Sequence, residues 1–226
     1  MNEPHKKILD INRLAKKLIT KSEIMLIESI AGVGGDVLAR QLLALLMKEN
    51  QKVFVTTSVK PKKQIVDEFL SFDVREDIIE KNLFIITAIR EEASNVIPID
   101  MRKVFVISNA VKSCYSSCVA GSLEILNTLF FLEKREVIQK FLLELIQEAR
   151  IRNVSLIIPI DIGIWNSGSI SFAENLADII IELQEAVTGF KILRGLRLKK
   201  MDNLPPTPFF EYKITEKGID VGDVIE

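Results

Sequence analysis

The sequence predicts an α/β fold with a mostly parallel central sheet, helices covering it, and antiparallel strands at the C-terminal end. Two patterns indicate this class. Short runs rich in β-branched residues alternate with helix-length segments through the first two thirds of the chain. After Asp178, apolar runs instead follow one another across short turns that carry glycine and proline, a pattern typical of antiparallel strands.

Composition agrees with a packed globular protein. The chain has 226 residues, of which 48% are hydrophobic and 27% charged, which excludes intrinsic disorder. Its 30 basic and 31 acidic residues give a net charge of -1, so no global charge attracts nucleic acid or an anionic membrane. Two cysteines and one histidine are too few for a disulfide scaffold, a four-ligand zinc site or a histidine-based catalytic triad. We therefore expect no structural metal, and we expect Cys114 and Cys118 to be buried thiols.

The first element along the chain is a basic amphipathic helix over residues 4–22. We expect it to pack on its own domain, with a membrane surface or a partner as the alternative. The predicted organisation is an N-terminal helix (1–22) followed by one domain (23–226). The amino terminus lacks the apolar segment of a signal peptide, so we expect a cytoplasmic protein without membrane insertion.

A glycine-rich turn separates the first predicted strand, residues 24–27, from a helix predicted over residues 37–47. Further strands are predicted at 52–57, 83–87, 103–108 and 154–160. Trp165 lies in a loop rich in glycine and serine, where we expect it to pack on its own domain rather than to form a mobile binding loop.

The glycine-rich turn lies where a phosphate-binding loop lies, directly after a buried strand and before a helix. Such a loop has the pattern G-x-x-x-x-G-K-[ST], whose lysine neutralises phosphate and whose hydroxyl binds magnesium. In this chain Ser29 takes the place of the first glycine and Gly34 that of the second, with Gly32 between them. Gly35 replaces the lysine and Asp36 the hydroxyl residue. The loop therefore lacks both of its reactive side chains.

Asp36 adds a negative charge where the phosphates of a nucleotide would lie. At about 4 Å and an effective dielectric near 20, a unit of like charge costs on the order of 4 kcal/mol. We expect Asp36 to accept hydrogen bonds from the first amides of the helix, as an N-cap that takes the place of a phosphate. The alternative is that Asp36 binds magnesium directly and rescues a weak nucleotide site.

Two other parts of a phosphoryl-transfer site are missing as well. The strand predicted at 103–108 ends in Ser108, where an aspartate would organise magnesium. The strand that follows the first helix carries no carboxylate near its end to orient an attacking water, because Asp67 and Glu68 come a helical stretch later.

Four stretches of the sequence resemble the KaiC-like branch of the RecA-type ATPases. They are SIAGVGGDVLARQLL, VFVTTSVKPKKQI, KVFVISNAV, and the tail that runs from ADIIIEL through FKILRGLRLKKM to PFFEYKITEKGIDV. The tail is the most specific, because the family ends in a P-F-x-I-T-x-x-G-I-x-V pattern. The resemblance implies a RecA-like P-loop fold of three layers.

In that family ATP lies between the subunits of a ring, and a K-M-R stretch reaches the neighbouring subunit's γ-phosphate. Here Lys200 and Met201 match this stretch, but Asp202 replaces the arginine. Ser58 and Val59 stand where the family has paired glutamates. The resemblance thus implies the family's scaffold without the groups that turn over ATP.

We therefore predict a non-catalytic RecA-like protein, a pseudo-ATPase, that acts as a binding or regulatory subunit without a cofactor. Its partner would be another protein or further copies of itself. One alternative is a weak ATP-binding and ATP-hydrolysing ring protein that uses ATP and magnesium. A second is a recombinase-like nucleic-acid accessory protein, for which Arg197, Lys199 and Lys200 are candidate contacts to an anion or a neighbouring subunit. A solvated sheet edge is the favoured interpretation of these cations.

The segment after Gly121 is rich in leucine, isoleucine and phenylalanine. The clusters LFFLEK and FLLELI carry more apolar surface than one inward-facing side of a helix can bury. We expect a self-association or partner site there.

Overall fold

The computed structural model describes residues 10–189, 191–201 and 204–225. In these ranges the strands are β1 (Ile24–Ser29), β2 (Val53–Thr57), β3 (Leu83–Thr87), β4 (Val96–Pro98), β5 (Ala120–Leu123), β6 (Ser155–Asp161), β7 (Ile179–Thr188), β8 (Lys191–Met201), β9 (Phe210–Thr215) and β10 (Gly218–Val224). The helices are α1 (Ile11–Thr20), α2 (Gly35–Lys48), α3 (Lys62–Ser71), α4 (Glu76–Asn82), α5 (Val104–Cys114), α6 (Leu126–Leu132), α7 (Arg135–Arg152) and α8 (Ser167–Leu176).

All of these strands form one sheet in the order β10-β9-β8-β7-β1-β6-β5-β2-β3-β4. Neighbouring strands in the part β7-β1-β6-β5-β2-β3-β4 of this sheet pair in parallel. The pairs β7–β8, β8–β9 and β9–β10 are antiparallel. The predicted fold class is confirmed, including the antiparallel C-terminal strands. Strand β8 lies inside the sheet between β7 and β9, so the prediction that its basic residues lie on a sheet edge is wrong.

Two apolar cores lie on opposite faces of the sheet and give the fold three layers. Successive residues of a strand point to opposite faces, so Met25 and Ile27 of β1 enter one core, and Ile24 and Leu26 enter the other. The first core is closed by helices α1 to α4 and the second by helices α5 to α8. Parallel strands that are covered on both faces need apolar residues throughout, which explains the continuous apolar runs of the sequence.

Helix α1 packs against α2. Its N-cap is Asp10, whose carboxylate accepts hydrogen bonds from the amides of Asn12 (2.9 Å) and Arg13 (3.3 Å). Three of its apolar residues are buried in the first core, at positions 14, 15 and 18. Packing on the rest of the chain, as predicted, is confirmed for this part of the helix; residues 4–9 of the predicted helix lie outside the described residues. No helix within the described ranges is long and apolar enough to cross a membrane.

The strand predicted at 103–108 is wrong, because this segment begins helix α5. The β-branched run VFVI favoured a strand, but Ile107, Val111 and Cys114 recur at helical spacing and are all buried. The strand that pairs with β2 and β6 is instead β5, whose sequence is AGSL. A small residue is required there, since a Cβ on Gly121 would lie 2.1 Å from the ring of Phe54.

Trp165 is buried, and its ring stacks on Phe130 with 4.4 Å between ring centroids. Its indole N–H donates to Oδ1 of Asn127 at 3.0 Å. The expectation that this tryptophan packs on its own domain is confirmed. The two cysteines are free and buried, as predicted.

Candidate functional site

A cavity of about 320 Å³ opens at the carboxyl ends of the parallel strands. Ligands of open α/β sheets bind at this edge, where neighbouring strands send their connections to opposite faces. The cavity lies beside the glycine-rich turn. It is lined by Ser29, Ile30, Ala31, Gly32, Gly34, Gly35, Asp36, Arg40, Thr57, Ser58, Val59, Lys60, Glu124, Asn127, Thr128, Pro159, Ile160 and Asp161.

The turn itself requires glycine at two positions. Gly32 and Gly34 have φ values of 87° and 95°, which glycine adopts without strain. A Cβ on Gly34 would also lie 2.9 Å from Cδ1 of Ile214 in β9. The phenol of Tyr212, also in β9, donates to the carbonyl oxygen of Val33 at 2.5 Å. The C-terminal strands thus fix the conformation of the turn.

Ser29 and Gly35 lie next to each other in space. Compared with the phosphate-loop pattern, position 29 has a larger residue than the pattern's glycine, and position 35 has a smaller residue than its lysine. Ser29 ends β1 and Gly35 begins α2, and a Cβ on Gly35 would lie 2.3 Å from Oγ and 3.2 Å from Cβ of Ser29. The serine side chain therefore fills the space in which the first carbon of the missing lysine side chain would lie. The two substitutions depend on each other, which a comparison of single positions does not reveal.

Asp36 does not cap helix α2. The N-cap is Gly34, and the helix has no side-chain cap hydrogen bond. Asp36 lies in the first turn, is half exposed, and its Oδ2 lies 3.8 Å from Nη2 of Arg40 and 3.7 Å from Nζ of Lys60. The predicted N-cap role is wrong because that role requires a helix that begins at residue 37, whereas α2 begins two residues earlier, at Gly35, so Asp36 already has helical backbone.

A buried arginine occupies the side of the cavity next to α2. The guanidinium of Arg40 is 3% exposed and forms ion pairs with Glu68 of α3 and with Glu124, which follows β5. Its Nε donates to Oε1 of Glu124 at 2.9 Å. Burial raises the pKa of Glu124, and the positive charge of Arg40 opposes this rise. Burial lowers the pKa of Arg40, but the carboxylates of Glu124 and Glu68 outweigh this effect and raise it. Sequence reasoning missed this cluster, because an arginine in the second turn of a helix resembles a solvent-exposed charge.

The predicted degenerate magnesium position, Ser108, is not part of this cavity. It is buried on α5, whereas the cavity borders Glu124 at the end of β5. A strand-end carboxylate is therefore present, but Arg40 holds it. The four residues AGSL carried too weak a strand signal to reveal its position.

The stretch after β2 supplies the other wall. Ser58 Oγ lies 2.7 Å from Oγ1 of Thr128, and Val59 is exposed. Lys60 places its Nζ 2.8 Å from Oε1 of Glu68. The loop thus brings a lysine beside Asp36 that sequence reasoning did not assign to the site.

The three basic residues expected to contact an anion or a neighbouring subunit have partners inside the chain. Arg197 pairs with Glu182 at 2.6 Å and Lys200 donates to the carbonyl oxygen of Ala177 at 2.6 Å. Lys199 lies at a register shift of β8 and bridges Glu28 (2.9 Å) and Glu174 (2.5 Å). Asp202, the third residue of the K-M-R comparison, lies outside the described residues.

Glu28, at the carboxyl end of β1, is the buried carboxyl of this second group. Its Oε2 accepts from Lys199, whereas its Oε1 has no hydrogen-bond partner among the described residues. Burial raises the pKa of Glu28, and Lys199 opposes the rise. The hydrogen bond from Lys199 lowers the pKa of Glu174 on the neighbouring helix α8. Folding therefore shifts the pKa values of these two carboxyl groups in opposite directions.

We expect Glu28→Gln to flatten the pH dependence of stability. An acid whose pKa is raised by folding stabilises the protein below its unfolded pKa, and this contribution is lost as pH rises through the folded pKa. Urea unfolding at a series of pH values upwards from 4.5, the ordinary pKa of a glutamate, should therefore show a smaller loss of stability in Glu28→Gln than in the wild type. Glu174→Gln is the matched control. Folding lowers the pKa of Glu174, so its contribution to stability is present near neutral pH and is lost on acidification, and Glu174→Gln should lose less stability on acidification than the wild type. Parallel pH profiles for wild type and Glu28→Gln would contradict this expectation.

Comparison with known proteins agrees with this architecture. No protein-family model matches the chain, and no curated protein matches its sequence. Its structure is similar to the crystal structure of a KaiC-like protein, PH0186, from the hyperthermophilic archaeon Pyrococcus horikoshii OT3. The TM-score is 0.69 at 17% sequence identity, and the match covers 89% of each chain. The chain therefore has the RecA-type P-loop fold of a KaiC-like protein.

Proposed function

We propose that the protein is a non-catalytic RecA-like subunit, a pseudo-ATPase of the cytoplasm that acts through contacts with other proteins. The observation that carries this proposal is the Arg40 cluster. A guanidinium and the carboxylates of Glu68 and Glu124 occupy the side of the cavity where the glycine turn, α2 and β5 meet. The fold is that of a nucleotide-binding protein, but its cavity is built around the chain's own ion pairs.

The residues present do not fit ATP with magnesium. The turn has no lysine, and Ser29 fills the space that the lysine would need. Asp36 and Asp161 border the same cavity and would face the phosphates with like charge. The carboxylate that could organise magnesium, Glu124, is held by Arg40. We therefore derive no phosphoryl-transfer step for this chain.

One observation favours a second candidate, a weak ATP-binding protein. Lys60 lies beside the turn, with its Nζ 3.7 Å from Asp36, and could supply from another loop the charge that the turn lacks. Its ammonium group already pairs with Glu68, which is the reason we rank this candidate second. Nucleic-acid binding has less support, because Arg197, Lys199 and Lys200 are engaged within the chain.

We expect calorimetric titration with ATP and magnesium to give no saturable heat up to about 1 mM nucleotide, the range of the weakest specific binding. An assay for released phosphate should give no signal above a protein-free blank. Micromolar binding of ATP with magnesium would contradict the proposal, most clearly if Asp36→Ala abolished it. Binding that disappears in Lys60→Ala but survives in Asp36→Ala would instead support the second candidate.

A further inference from the structure

A groove runs between helices α5 and α7 on the outer surface of the second core. It encloses about 400 Å³ and is lined by Val104, Phe105, Ser108, Lys112, Val137, Lys140, Phe141 and Glu144. Ser108 and Phe141 are buried and form its floor. Helix α5 precedes β5 and helix α7 precedes β6, and these two strands are parallel, so the two helices run in the same direction along this α5–α7 groove.

The groove exposes large apolar side chains. Phe105 is 75% exposed and Val137 38% exposed. Phe131 and Leu132, at the end of α6, are 72% and 56% exposed and precede Val137 by only five or six residues. Phe131 and Leu132 do not line the groove, whereas Phe105 and Val137 do, and an exposed aromatic side chain in a groove is typical of an interaction surface, since its burial by a partner is a main source of binding energy.

The charges around the groove are predominantly positive. Lys112 and Lys140 line it together with one carboxylate, Glu144, which lies 3.9 Å from Lys140, so Lys112 is the lining cation that this carboxylate does not pair with. The N-cap residues of α5 and α7 are both lysines, Lys103 and Lys134, and neither helix has a side-chain cap hydrogen bond. A helix N-terminus carries a partial positive charge, so the two lysines add to the field of two helix ends; Glu136 in the first turn of α7 offsets part of this field, and α5 has no acidic residue in its first turn. An acidic partner complements this surface.

We infer that the α5–α7 groove binds an acidic amphipathic helix of a partner protein. Val104 and Lys112 are eight residues apart on α5, which is about 12 Å at a rise of 1.5 Å per residue. A helix of two to three turns would therefore place apolar residues at positions i, i+3 or i+4 and i+7 against Phe105 and Val137. Its carboxylates would face Lys112, Lys140 and the two lysine N-caps. This inference rests on the proposed function, because it names the contact surface and the chemistry of the partner.

A second copy of the chain fits the groove less well than a foreign helix. Two copies meeting through this face would bring two surfaces of net positive charge together, each with Lys112 and Lys140 against one carboxylate, Glu144. Like charges at close range oppose association. The charge of the groove thus favours a partner of opposite sign over self-association.

The test uses the full chain and two synthetic, fluorescently labelled helical peptides. Both carry leucine at i, i+3, i+4 and i+7; one carries glutamate and the other lysine at the remaining positions. Fluorescence anisotropy should show binding of the acidic peptide that weakens with salt, and at least about tenfold weaker binding of the basic peptide. Phe105→Ser should weaken binding of the acidic peptide at least about tenfold, and Lys140→Glu should weaken it as well.

Ile151→Ser is the matched control, because Ile151 lies near the other end of α7 and is 74% exposed, as Phe105 is 75% exposed. It should bind the acidic peptide as the wild type does. Three results would overturn the inference: no binding of the acidic peptide at about 1 mM, equal binding of both peptides, or equal effects of Phe105→Ser and Ile151→Ser. Sedimentation that shows a dimer dissolved by Phe105→Ser would also overturn it, in favour of self-association. Neither peptide reports on ATP, so failure here leaves the nucleotide experiment to judge the proposed function by itself.

Discussion

Arg40→Met is expected to lower the free energy of unfolding by about 3–5 kcal/mol, because it leaves the carboxylate of Glu124 buried without its counter-charge. Arg40 is 3% exposed and the Glu124 side chain 11% exposed, so water replaces the lost partner only in part. Urea unfolding monitored by circular dichroism at neutral pH measures this change. The loss should shrink on acidification, because a protonated Glu124 no longer needs a cation.

Two variants distinguish a buried charge cluster from a general loss of packing. Arg40→Met combined with Glu124→Met should recover most of the loss, since replacing both members of a buried ion pair with apolar side chains is often neutral. Arg75→Met is the matched control, because Arg75 pairs with Asp77 on the exposed surface. It should unfold at nearly the urea concentration of the wild type. If Arg40→Met behaved like Arg75→Met, the cluster would not be the organising feature of the cavity.

The second large effect is expected from rebuilding the phosphate loop in two steps. Gly35→Lys alone should lose about 1–3 kcal/mol of stability, because the new Cβ overlaps the side chain of Ser29. Rotation of the serine hydroxyl would relieve the contact at 2.3 Å, but the Cβ of Ser29 at 3.2 Å would remain. Ser29→Gly with Gly35→Lys should recover this loss. The difference between the single and the double variant measures how strongly the two positions depend on each other.

Adding Asp36→Ser to that pair restores the first glycine, the lysine and the hydroxyl of the loop pattern. This triple variant should gain binding of ATP with magnesium, detected as an upward shift of the unfolding transition. A ligand at about 100 times its dissociation constant stabilises a protein by roughly 2.7 kcal/mol. Ser29→Gly alone is the control and should show no shift. If the triple variant folds but gives no shift, the Arg40 cluster and not the loop is the barrier to nucleotide.

The α/β class could be predicted from the sequence, and so could the strands with continuous apolar runs. Strand β1 and the helix after it follow from periodicity and from the glycine-rich turn between them. Helix α5 and strand β5 could not be placed in this way. The VFVI run has high strand propensity, and AGSL has almost none, but packing decided both. Phe54 requires a glycine opposite it in β5, and Ile107, Val111 and Cys114 require a helix over the second core.

The candidate site was predicted in part. The missing lysine and hydroxyl of the turn can be read from the order of residues, because the loop pattern has fixed spacing. The conformation of Asp36 could not, since the start of α2 at Gly35 instead of residue 37, a shift of two residues, changes a capping residue into one of the first turn. The pairing of Arg40 with Glu68 and Glu124 joins positions 28 and 84 residues apart, and no local pattern encodes such a contact.

The sequence by itself determined that this is a three-layer α/β protein with a glycine-rich turn that contains no lysine, because propensity, periodicity and motif spacing are local properties of the chain. Only the tertiary structure decided which side chains lie around the turn and which lie exposed between the helices. Arg40 holds the strand-end carboxylate, Ser29 fills the space next to Gly35, and Phe105 lies exposed between two helices. These three arrangements depend on contacts between residues that are distant in sequence, or on which side of a helix or strand packs against the core. Close packing and charge pairing in three dimensions set those contacts.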